Sequence, residues 1–425
     1  MHKKFLTVIL SIFFIASPSY GADIIKRGDL LDLQRCIAIA LTNHPSINAA
    51  SGTVKAGESK IGQARSNYYP QLTFQSNYQR IGPAVSSLRN DPYNQYSNTL
   101  NLSQNIFDFG KTSTQVEIQS LNKESSEADL HNVRSQVIFN VKQYYYGFLQ
   151  GKMSRNVASE TVNQFLEHYK MTKAFFEAGK SSKIDVTSAE VNLSNARINL
   201  LKAENSLRIA KINLNNAMGV TNVPEYEITD DLIYKPCEIS LPDALQNAYM
   251  NRPDILSLTR KKEGLEKTIQ LQKKGYLPTL SGTAAYGYTG DDTSLDKSWN
   301  VGVTLTFPLF TGLSTKYQVE EARANLDVLK ANEDALKQKV YQEIESAYLS
   351  LREAEERISA GTVVVRQAEE NLELAHGRYA SGVGSYIEIT DAMISLNNAK
   401  MTYINALSDY MVNEAGLQKA MGADK

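Results

Sequence analysis

The sequence predicts an α+β membrane protein, in which strands from several copies of the chain share one β-barrel that continues into a tube of long coiled-coil helices. Three observations predict this fold. Four stretches of alternating apolar and polar residues carry no charge, two long stretches contain no proline, and the second half of the chain repeats the first. These features indicate barrel strands, uninterrupted helices and a duplicated unit, respectively.

Composition and the first residues narrow the class of protein. Among 425 residues, 45 Lys and Arg balance 46 Asp and Glu, which excludes the positive excess of a nucleic-acid-binding protein. Two cysteines are too few for a disulfide-rich scaffold. Residues 1–21, with two lysines, an apolar run and a cut after Gly21, predict a secretory signal peptide. No later apolar run reaches the roughly 18 residues of a transmembrane helix, so we expect an exported protein that crosses a membrane only with strands.

The uncharged stretches predict four strands per chain. They are Ser66–Gln79, Pro92–Phe107, Tyr276–Gly290 and Ser298–Thr315. In the last of them, alternate residues from Trp299 to Phe307 are apolar. An ordinary half-exposed sheet also alternates, but it has no reason to exclude charge from every strand in a chain that is 21% charged. The pattern therefore favours the lipid-facing strands of an outer-membrane barrel.

The repeat divides the chain. Residues from Leu33 match those from Leu241 at an offset of 208, and after the strands the offset becomes 203, as where Gly179 matches Gly382. The difference falls in the loop between the first two strands, where insertions are tolerated. We expect a repeat at 22–219, a linker at 220–238 and a second repeat at 239–425. Each repeat has the order helix, strand, loop, strand, long helix, turn, helix.

Two helices of unusual length are predicted at 111–178 and 314–380, each about 100 Å long at 1.5 Å per residue. The helix that returns after the first turn carries apolar residues at alternating spacings of three and four, beginning Val186, Ala189, Leu193 and Ala196. This is the seam of a coiled coil. The shorter helices at Pro45–Asn67 and Asp254–Gly275 then fill the remaining length of each long helix.

Four strands cannot close a barrel in a bilayer, because the smallest such barrels have about eight. Unpaired strand edges in lipid would leave backbone groups without hydrogen bonds, at several kcal/mol each. The chain must therefore oligomerise, with each copy donating two hairpins to a shared wall. The helices would extend that wall into the periplasm as a conduit.

These features together resemble the TolC-type outer-membrane efflux family. The resemblance lies in the duplicated unit, the Tyr68-Tyr69-Pro70 entry to the first strand, the Phe-Pro-Leu-Phe-Thr-Gly run at 307–312, and the motif from Arg378 to Ala392. It covers almost the whole mature chain. It implies a homotrimer with a 12-stranded barrel in the outer membrane of a Gram-negative bacterium and a long periplasmic helical tunnel. The implied partners are a periplasmic adaptor and an inner-membrane transporter of the RND or ABC type.

An acidic ring at the tunnel mouth is the first site that the resemblance implies. Glu388 and Asp391 lie three residues apart, on one face of the last helix. They match the family's paired acids, and three copies would place six carboxylates around one axis. Asp185 matches Glu388 in the first repeat, where Ser188 replaces the second acid. Compensation of a helix dipole is the alternative role for these acids.

A closing lock and adaptor-docking tips are the other implied sites. Tyr379 matches the tyrosine of the family's lock, whereas the arginine of that lock falls on Gly384, and Arg378 or Tyr386 are the candidates to replace it. Without the resemblance, the tips are simply turns that need glycine. The tip candidates are Gly179, Ser181, Ser182, Ile184, Gly382, Gly384, Ser385 and Ile387.

No catalytic constellation, cofactor site or metal site is expected. The histidines at 44, 131, 168 and 376 are scattered and lack the spacing of metal ligands. Cys36 and Cys237 lie near the first helix of their repeats, and the sequence leaves open whether they form a disulfide.

The function predicted is a passive exit duct that carries small toxic compounds or drugs out of the cell. The outlet of a type I protein-secretion system would have the same architecture and a different inner-membrane partner. A third hypothesis is a periplasmic adaptor or structural coiled-coil protein, but it does not account for two hairpins and four uncharged strands.

Overall fold

Two helices of 67 residues each, α3 (Lys111–Glu177) and α7 (Ser314–Ala380), organise the computed structural model. The structure describes residues 25–82, 91–230, 232–291 and 294–423, so the predicted signal peptide lies outside the described residues. The two long helices occupy the ranges that the absence of proline predicts. No helix among the described residues combines the length and the apolarity that spanning a bilayer would require.

Each long helix turns back into a helix of 35 residues, α4 (Lys183–Ala217) after α3 and α8 (Tyr386–Ala420) after α7. The predicted coiled-coil seam is buried in both hairpins. In α4 it comprises Val186, Ala189, Leu193 and Ala196. Leucine alternating with alanine lets the two helices of a hairpin approach closely.

Two helices, rather than the single one predicted, precede each strand pair. The first repeat has α1 (Leu33–Asn43) and α2 (Pro45–Arg65), and the second has α5 (Leu241–Asn251) and α6 (Pro253–Lys273). The break has a physical reason in both places. The residue before each proline, His44 or Arg252, is extended, as a following proline demands, and the proline then starts a new helix at its first position.

The returning helices end against the starts of the short helices. Gly219, with φ +70°, lies so close to His44 that a Cβ added to it would be 2.8 Å from the His44 Cα. Gly422, also with φ +70°, stands in the same relation to Asn251, at 2.8 Å from its carbonyl carbon. Both α4 followed by α2 and α8 followed by α6 therefore form stacked pairs that together match one long helix.

Lateral packing gives the helices a fixed order. Near the hairpin turns, α4 packs on α3, α3 on α8 and α8 on α7. In the other half of the molecule, α2 packs on α3, α3 on α6 and α6 on α7. At both levels α7 lies at one edge of the layer, and α4 or α2 lies at the other.

A four-stranded antiparallel sheet lies at the end opposite the turns. Its order is β2–β3–β5–β6, and its strands are β2 (Gln71–Ile81), β3 (Tyr93–Phe107), β5 (Thr279–Gly290) and β6 (Leu295–Thr306). Two strands run past the uncharged stretches, so the expectation of charge-free strands was too strict. Arg80, Asp296 and Lys297 all lie at the loop ends of their strands, where a barrel leaves the hydrocarbon and meets polar headgroups.

The main apolar core lies midway along the long helices, where the linker crosses them. The two-residue strand β4 (Glu227–Ile228) of this linker pairs in parallel with β1 (Leu30–Leu31). Buried tyrosines fasten the linker: the Tyr145 hydroxyl donates to the Thr229 carbonyl at 2.9 Å, and the Tyr410 hydroxyl donates to the Lys235 carbonyl at 2.6 Å. Both Cys36 and Cys237 are free thiols, so the structure has no bond between them.

Candidate functional site

The two hairpin turns have the same backbone geometry, which their glycines permit. In the first, Gly179 has φ +74° and the amide of Lys180 donates to the Phe175 carbonyl at 2.7 Å. In the second, Gly382 has φ +75° and the amide of Val383 donates to the Arg378 carbonyl at 3.1 Å. Both are Schellman motifs, in which a left-handed residue satisfies the last carbonyls of a helix.

Gly384 has no room for a side chain. A Cβ at this position would lie 2.8 Å from the backbone nitrogen of Tyr379 and 2.9 Å from the carbonyl carbon of Arg378. The turn is tighter than that of the first hairpin, because the Gly384 amide also donates to the Arg378 carbonyl, at 2.9 Å. The geometry thus explains why no arginine occupies this position.

All eight of the predicted tip residues lie in the two turns or in the first turn of the helix that follows. Ser182 and Ser385 cap α4 and α8, each accepting a hydrogen bond from the amide three residues later. Next to these capping serines, apolar side chains are exposed to solvent. The most exposed are Ile184, Val383 and Ile387.

The three predicted acids have different surroundings. Glu388 is paired, because its carboxylate lies 3.1 Å from the Arg378 guanidinium. Asp185 closes a capping box in which the Ser182 amide, the Ser182 hydroxyl and the Ser181 hydroxyl all donate to it. These hydrogen bonds lower the pKa of Asp185, and the bond from the Ser182 amide has the largest effect. Asp391 is exposed and forms no ion pair with the described residues.

Tyr379, the predicted lock residue, is buried between the two hairpins rather than exposed at the mouth. Its ring packs against Phe175 and His168 of α3, with centroids 5.5 Å apart in both cases. Its hydroxyl shares a hydrogen bond of 3.4 Å with the Thr172 hydroxyl. Tyr379 therefore joins α7 to α3 within one chain.

His168, to which the sequence prediction assigned no role, belongs to the same cluster. Its ring stacks on Tyr386 of α8 at a centroid distance of 5.0 Å, and the Tyr386 hydroxyl accepts a hydrogen bond from the Asn192 amide of α4. We call the set His168, Thr172, Asn192, Tyr379 and Tyr386 the clasp, because it joins all four helices. The signal was present in the sequence: Phe165, His168, Thr172 and Phe175 are spaced three, four and three, as in a seam.

Beyond the clasp, three polar contacts join α3 to α8. The Lys400 ammonium lies 3.1 Å from the Glu160 carboxylate, the Gln150 amide donates to Asn405 at 2.8 Å, and the Lys142 ammonium donates to Gln418 at 2.8 Å. The apolar cluster near the turns includes residues of both hairpins, among them Phe165 and Leu193 of the first and Leu372 and Ile389 of the second. The two hairpins are thus joined by apolar packing, by the clasp and by polar contacts that are partly open to water.

The sheet at the opposite end has one apolar face and one polar face. The register places Phe74 beside Leu100, Leu100 beside Tyr286, and Tyr286 beside Trp299, so one apolar band crosses all four strands. Most of these side chains are exposed, Val301 by 73%. The other face carries Gln, Asn, Ser and Thr, among them Gln75, Thr99 and Asn300. Such a large exposed apolar surface has to be covered by lipid or protein.

Comparison with known proteins agrees with this geometry. The family model for outer membrane efflux proteins matches residues 36–220 and 244–423. The toluene efflux pump outer membrane protein TtgC of Pseudomonas putida is 23% identical over 406 residues, spanning 92% of this chain and 82% of that protein. The outer membrane protein TolC of Escherichia coli is 24% identical over 411 residues, spanning 90% of this chain and 80% of that protein.

Solved structures share the fold. The crystal structure of CusC superposes with a TM-score of 0.81 at 20% identity, covering 93% of this chain and 94% of that one. The two long helices, the returning helices and the four-stranded sheet thus form an architecture already known from outer-membrane channels. The chain belongs to the outer membrane efflux protein family, and it is an outer-membrane efflux channel protein with a large helical periplasmic part.

Proposed function

We propose that three copies of this chain form the passive outer-membrane duct of a tripartite efflux pump, which receives small toxic compounds from an inner-membrane transporter through a periplasmic adaptor. One observation carries the proposal. The sheet has an exposed apolar face and two edges, β2 and β6, that pair with no other strand among the described residues. In lipid, those edges need partners, and a second copy offers the complementary edge.

The helices support the same partner. Since α7 lies at one edge of the helical layer and α4 at the other, a ring of copies brings α4 of one against α7 of the next. Each of these edges has an exposed apolar stripe at multiples of seven residues, 45–76% exposed. The stripe consists of Ile184, Val191, Ile198 and Ile212 on α4, and of Val328, Leu349 and Val363 on α7. Such stripes are typical of a second coiled-coil seam.

A trimer fits a conduit better than a dimer does. Two copies would supply eight strands, and the interior of an eight-stranded barrel is filled by its own side chains. Three copies supply twelve, which leaves space for a channel lined by the polar face of the sheet. The resemblance to TolC-type proteins supports the same number.

The cargo and partners are the finer part of the proposal. A relative named as a toluene efflux pump component supports a small-molecule cargo. The exposed apolar residues Ile184, Val383 and Ile387 at the tips are suited to docking an adaptor. The transporter behind that adaptor would be of the RND or ABC type.

Two adjacent substitutions test the assembly. Ile198→Glu places a charge on the apolar stripe of α4, whereas Arg197→Glu changes the neighbouring exposed residue outside it. We expect outer-membrane extracts to yield a trimer that dissociates on heating for the wild type and for Arg197→Glu, and much less trimer for Ile198→Glu. Recovery of the wild type as a soluble periplasmic monomer would contradict the duct and favour a structural coiled-coil protein.

Complementation tests the cargo. The gene is expressed, together with the genes of a drug-efflux adaptor and transporter, in a strain without its own outer-membrane channel. Restored export of a fluorescent amphiphilic dye supports the proposal. Restored secretion of a protein substrate, with no export of dye, would instead identify the outlet of a type I secretion system.

A further inference from the structure

His168 is buried in a way that nothing in the coiled coil requires. Its side chain is 1% exposed, and neither ring nitrogen has a hydrogen-bond partner. Buried polar atoms are nearly always paired, and leaving one unpaired costs about 1–3 kcal/mol. A leucine or phenylalanine would fill this seam position without that cost. The imidazole is therefore a candidate for a function that an apolar side chain could not perform.

We propose that His168 is a proton-operated release for the clasp: protonation of its imidazole separates the α3–α4 hairpin from the α7–α8 hairpin and so widens the periplasmic mouth. The position of His168 suits this role, because its ring contacts Tyr386 of α8 and Tyr379 of α7 while its backbone belongs to α3. These contacts are among those that join the two hairpins near their turns.

Among the described residues, no negative charge offsets the cost of burying the charged form of His168. On α7 it faces Tyr379 as a neutral ring, and the imidazole of His376 acts on it as a like charge. On α8 it faces Tyr386, whose hydroxyl is engaged by Asn192 of α4. On α3 itself the neighbours along the seam are Phe165 and Thr172. No carboxylate of the described chain contributes to its titration.

Burial, and then the charge of His376, lower the pKa of His168 to about 4. The pKa of an imidazole in water is near 6.5. The closed clasp thus binds fewer protons than an open one, and it loses stability as the pH falls from about 6.5 towards 4. By linkage, the ratio of open to closed clasp rises about 30-fold between pH 7.5 and pH 5.

Water has a short route to the imidazole. A groove of about 400 Å³ lies between the hairpins and is lined by Phe165, one turn from His168, and by Asn192 of the clasp. Polar contacts between α3 and α8 continue from this groove, between Gln150 and Asn405 and between Lys400 and Glu160. A small separation of the hairpins would therefore admit water to the imidazolium through this groove.

The test measures the hairpin separation within one chain, so it needs neither pump partners nor cargo. Spin labels are attached to Lys170→Cys on α3 and Ser395→Cys on α8, in the full-length protein carrying Cys36→Ala and Cys237→Ser. We expect the longer of two label distances to gain about 30-fold in population, relative to the shorter, from pH 7.5 to pH 5. An unchanged distance distribution over this range would overturn the proposal.

Three variants separate His168 from other acid effects. His168→Phe keeps an aromatic ring in the clasp and should abolish the response, as should the smaller and uncharged His168→Gln if the phenylalanine disturbs folding. His131→Phe, on the exposed face of the same helix, should leave the response intact. An acid response that persists in both His168 variants would show that other groups, such as Glu388 and Asp391, drive the opening.

Discussion

The guanidinium of Arg378 lies 3.1 Å from the carboxylate of Glu388, ten residues further along the chain and across the hairpin turn. One acid of the predicted ring therefore carries its own counter-ion, whereas Asp391 has none within the described chain. The field at the mouth should then depend on Asp391 more than on Glu388. In the predicted ring, Arg378 would also reduce the negative charge that a passing cation meets.

Substitutions of these three residues should have ordered effects on cation block. We expect Asp391→Asn to weaken block by Mg²⁺ clearly, Glu388→Gln to weaken it less, and Arg378→Gln to strengthen it by freeing the Glu388 charge. Single-channel conductance in planar bilayers at low ionic strength measures this, since salt screens such fields. Asp334→Asn, an exposed acid on α7 far from the turn, is the control. Unchanged block in Arg378→Gln would contradict the pairing.

Restoring the missing arginine should damage the second turn. Gly384→Arg and Gly384→Ala both place a Cβ 2.8 Å from the Tyr379 backbone nitrogen, so the turn must shift. We expect faster cleavage of this turn by a protease and loss of about 1–3 kcal/mol of stability for either substitution. Gly377→Ala is the matched control, because its Cβ meets nothing within 4 Å and alanine favours a helix by about 1 kcal/mol. Equal cleavage of both alanine variants would refute the close approach.

Substitution by lysine should reduce assembly at one residue of β6 and not at its neighbour. Val301 lies on the apolar face and Asn300 on the polar one. Val301→Lys puts a charge against lipid near the middle of the strand, at a cost of about 2–4 kcal/mol, whereas Asn300→Lys faces the lumen. We expect the yield of assembled protein in the outer membrane to fall for Val301→Lys alone. A similar fall for Asn300→Lys would mean that the two faces are assigned wrongly.

The ion pair between Arg252 and Asp254, at the start of α6, should make the folding stability depend on pH in the acidic range. The Asp254 carboxylate lies 2.7 Å from the Arg252 guanidinium, which also contacts Glu343 and the Ala420 carbonyl. Burial alone would raise the pKa of Asp254, but the hydrogen bonds from Arg252 lower it below its ordinary value. Because the folded form holds the proton less tightly, the pair stabilises fully above about pH 4 and loses this contribution as the pH falls further.

Asp254→Asn tests this linkage. We expect a loss of about 2 kcal/mol at pH 7, since hydrogen bonds to charged groups contribute about 1.5–3 kcal/mol, and a smaller further loss below pH 4. Thermal unfolding between pH 7 and pH 3 measures both. The exposed Asp334→Asn is the control. An unchanged acid dependence in Asp254→Asn would assign the effect to other carboxylates.

The long elements could be predicted from the sequence because their signals are local and repeated. The absence of proline from 111 to 177, and the seam that begins at Val186, depend on spacing alone. Pro45 also marks the break between α1 and α2 in the sequence. The helical pattern on both sides of it nevertheless predicted one continuous helix. The start of β6 at Leu295 was not predicted, because the uncharged stretch begins at Ser298, whereas the ends of a barrel strand tolerate charges such as Asp296 and Lys297.

The clasp was predicted only in part, because its members are distant in sequence. Tyr379 was found through a motif, but its partners on α3 lie more than 200 residues earlier. A lone histidine such as His168 has many ordinary roles, and only the packed structure reveals that its nitrogens have no partner. The tyrosines that fasten the linker escaped notice for the same reason: Tyr145 and Thr229 meet only after the chain has folded.

The junctions at Gly219 and Gly422 have a mechanical consequence. Each stacked pair is interrupted there, whereas α3 and α7 run on without a break. The two helices of a stacked pair can rotate relative to each other at the junction. The continuous helices α3 and α7 must instead bend elastically. A bend of about 10° halfway along a 67-residue helix moves its free end by about 9 Å. Gradual bending of α3 and α7, without local unfolding of any helix, would thus suffice to widen the periplasmic mouth. Their elasticity would then close it again.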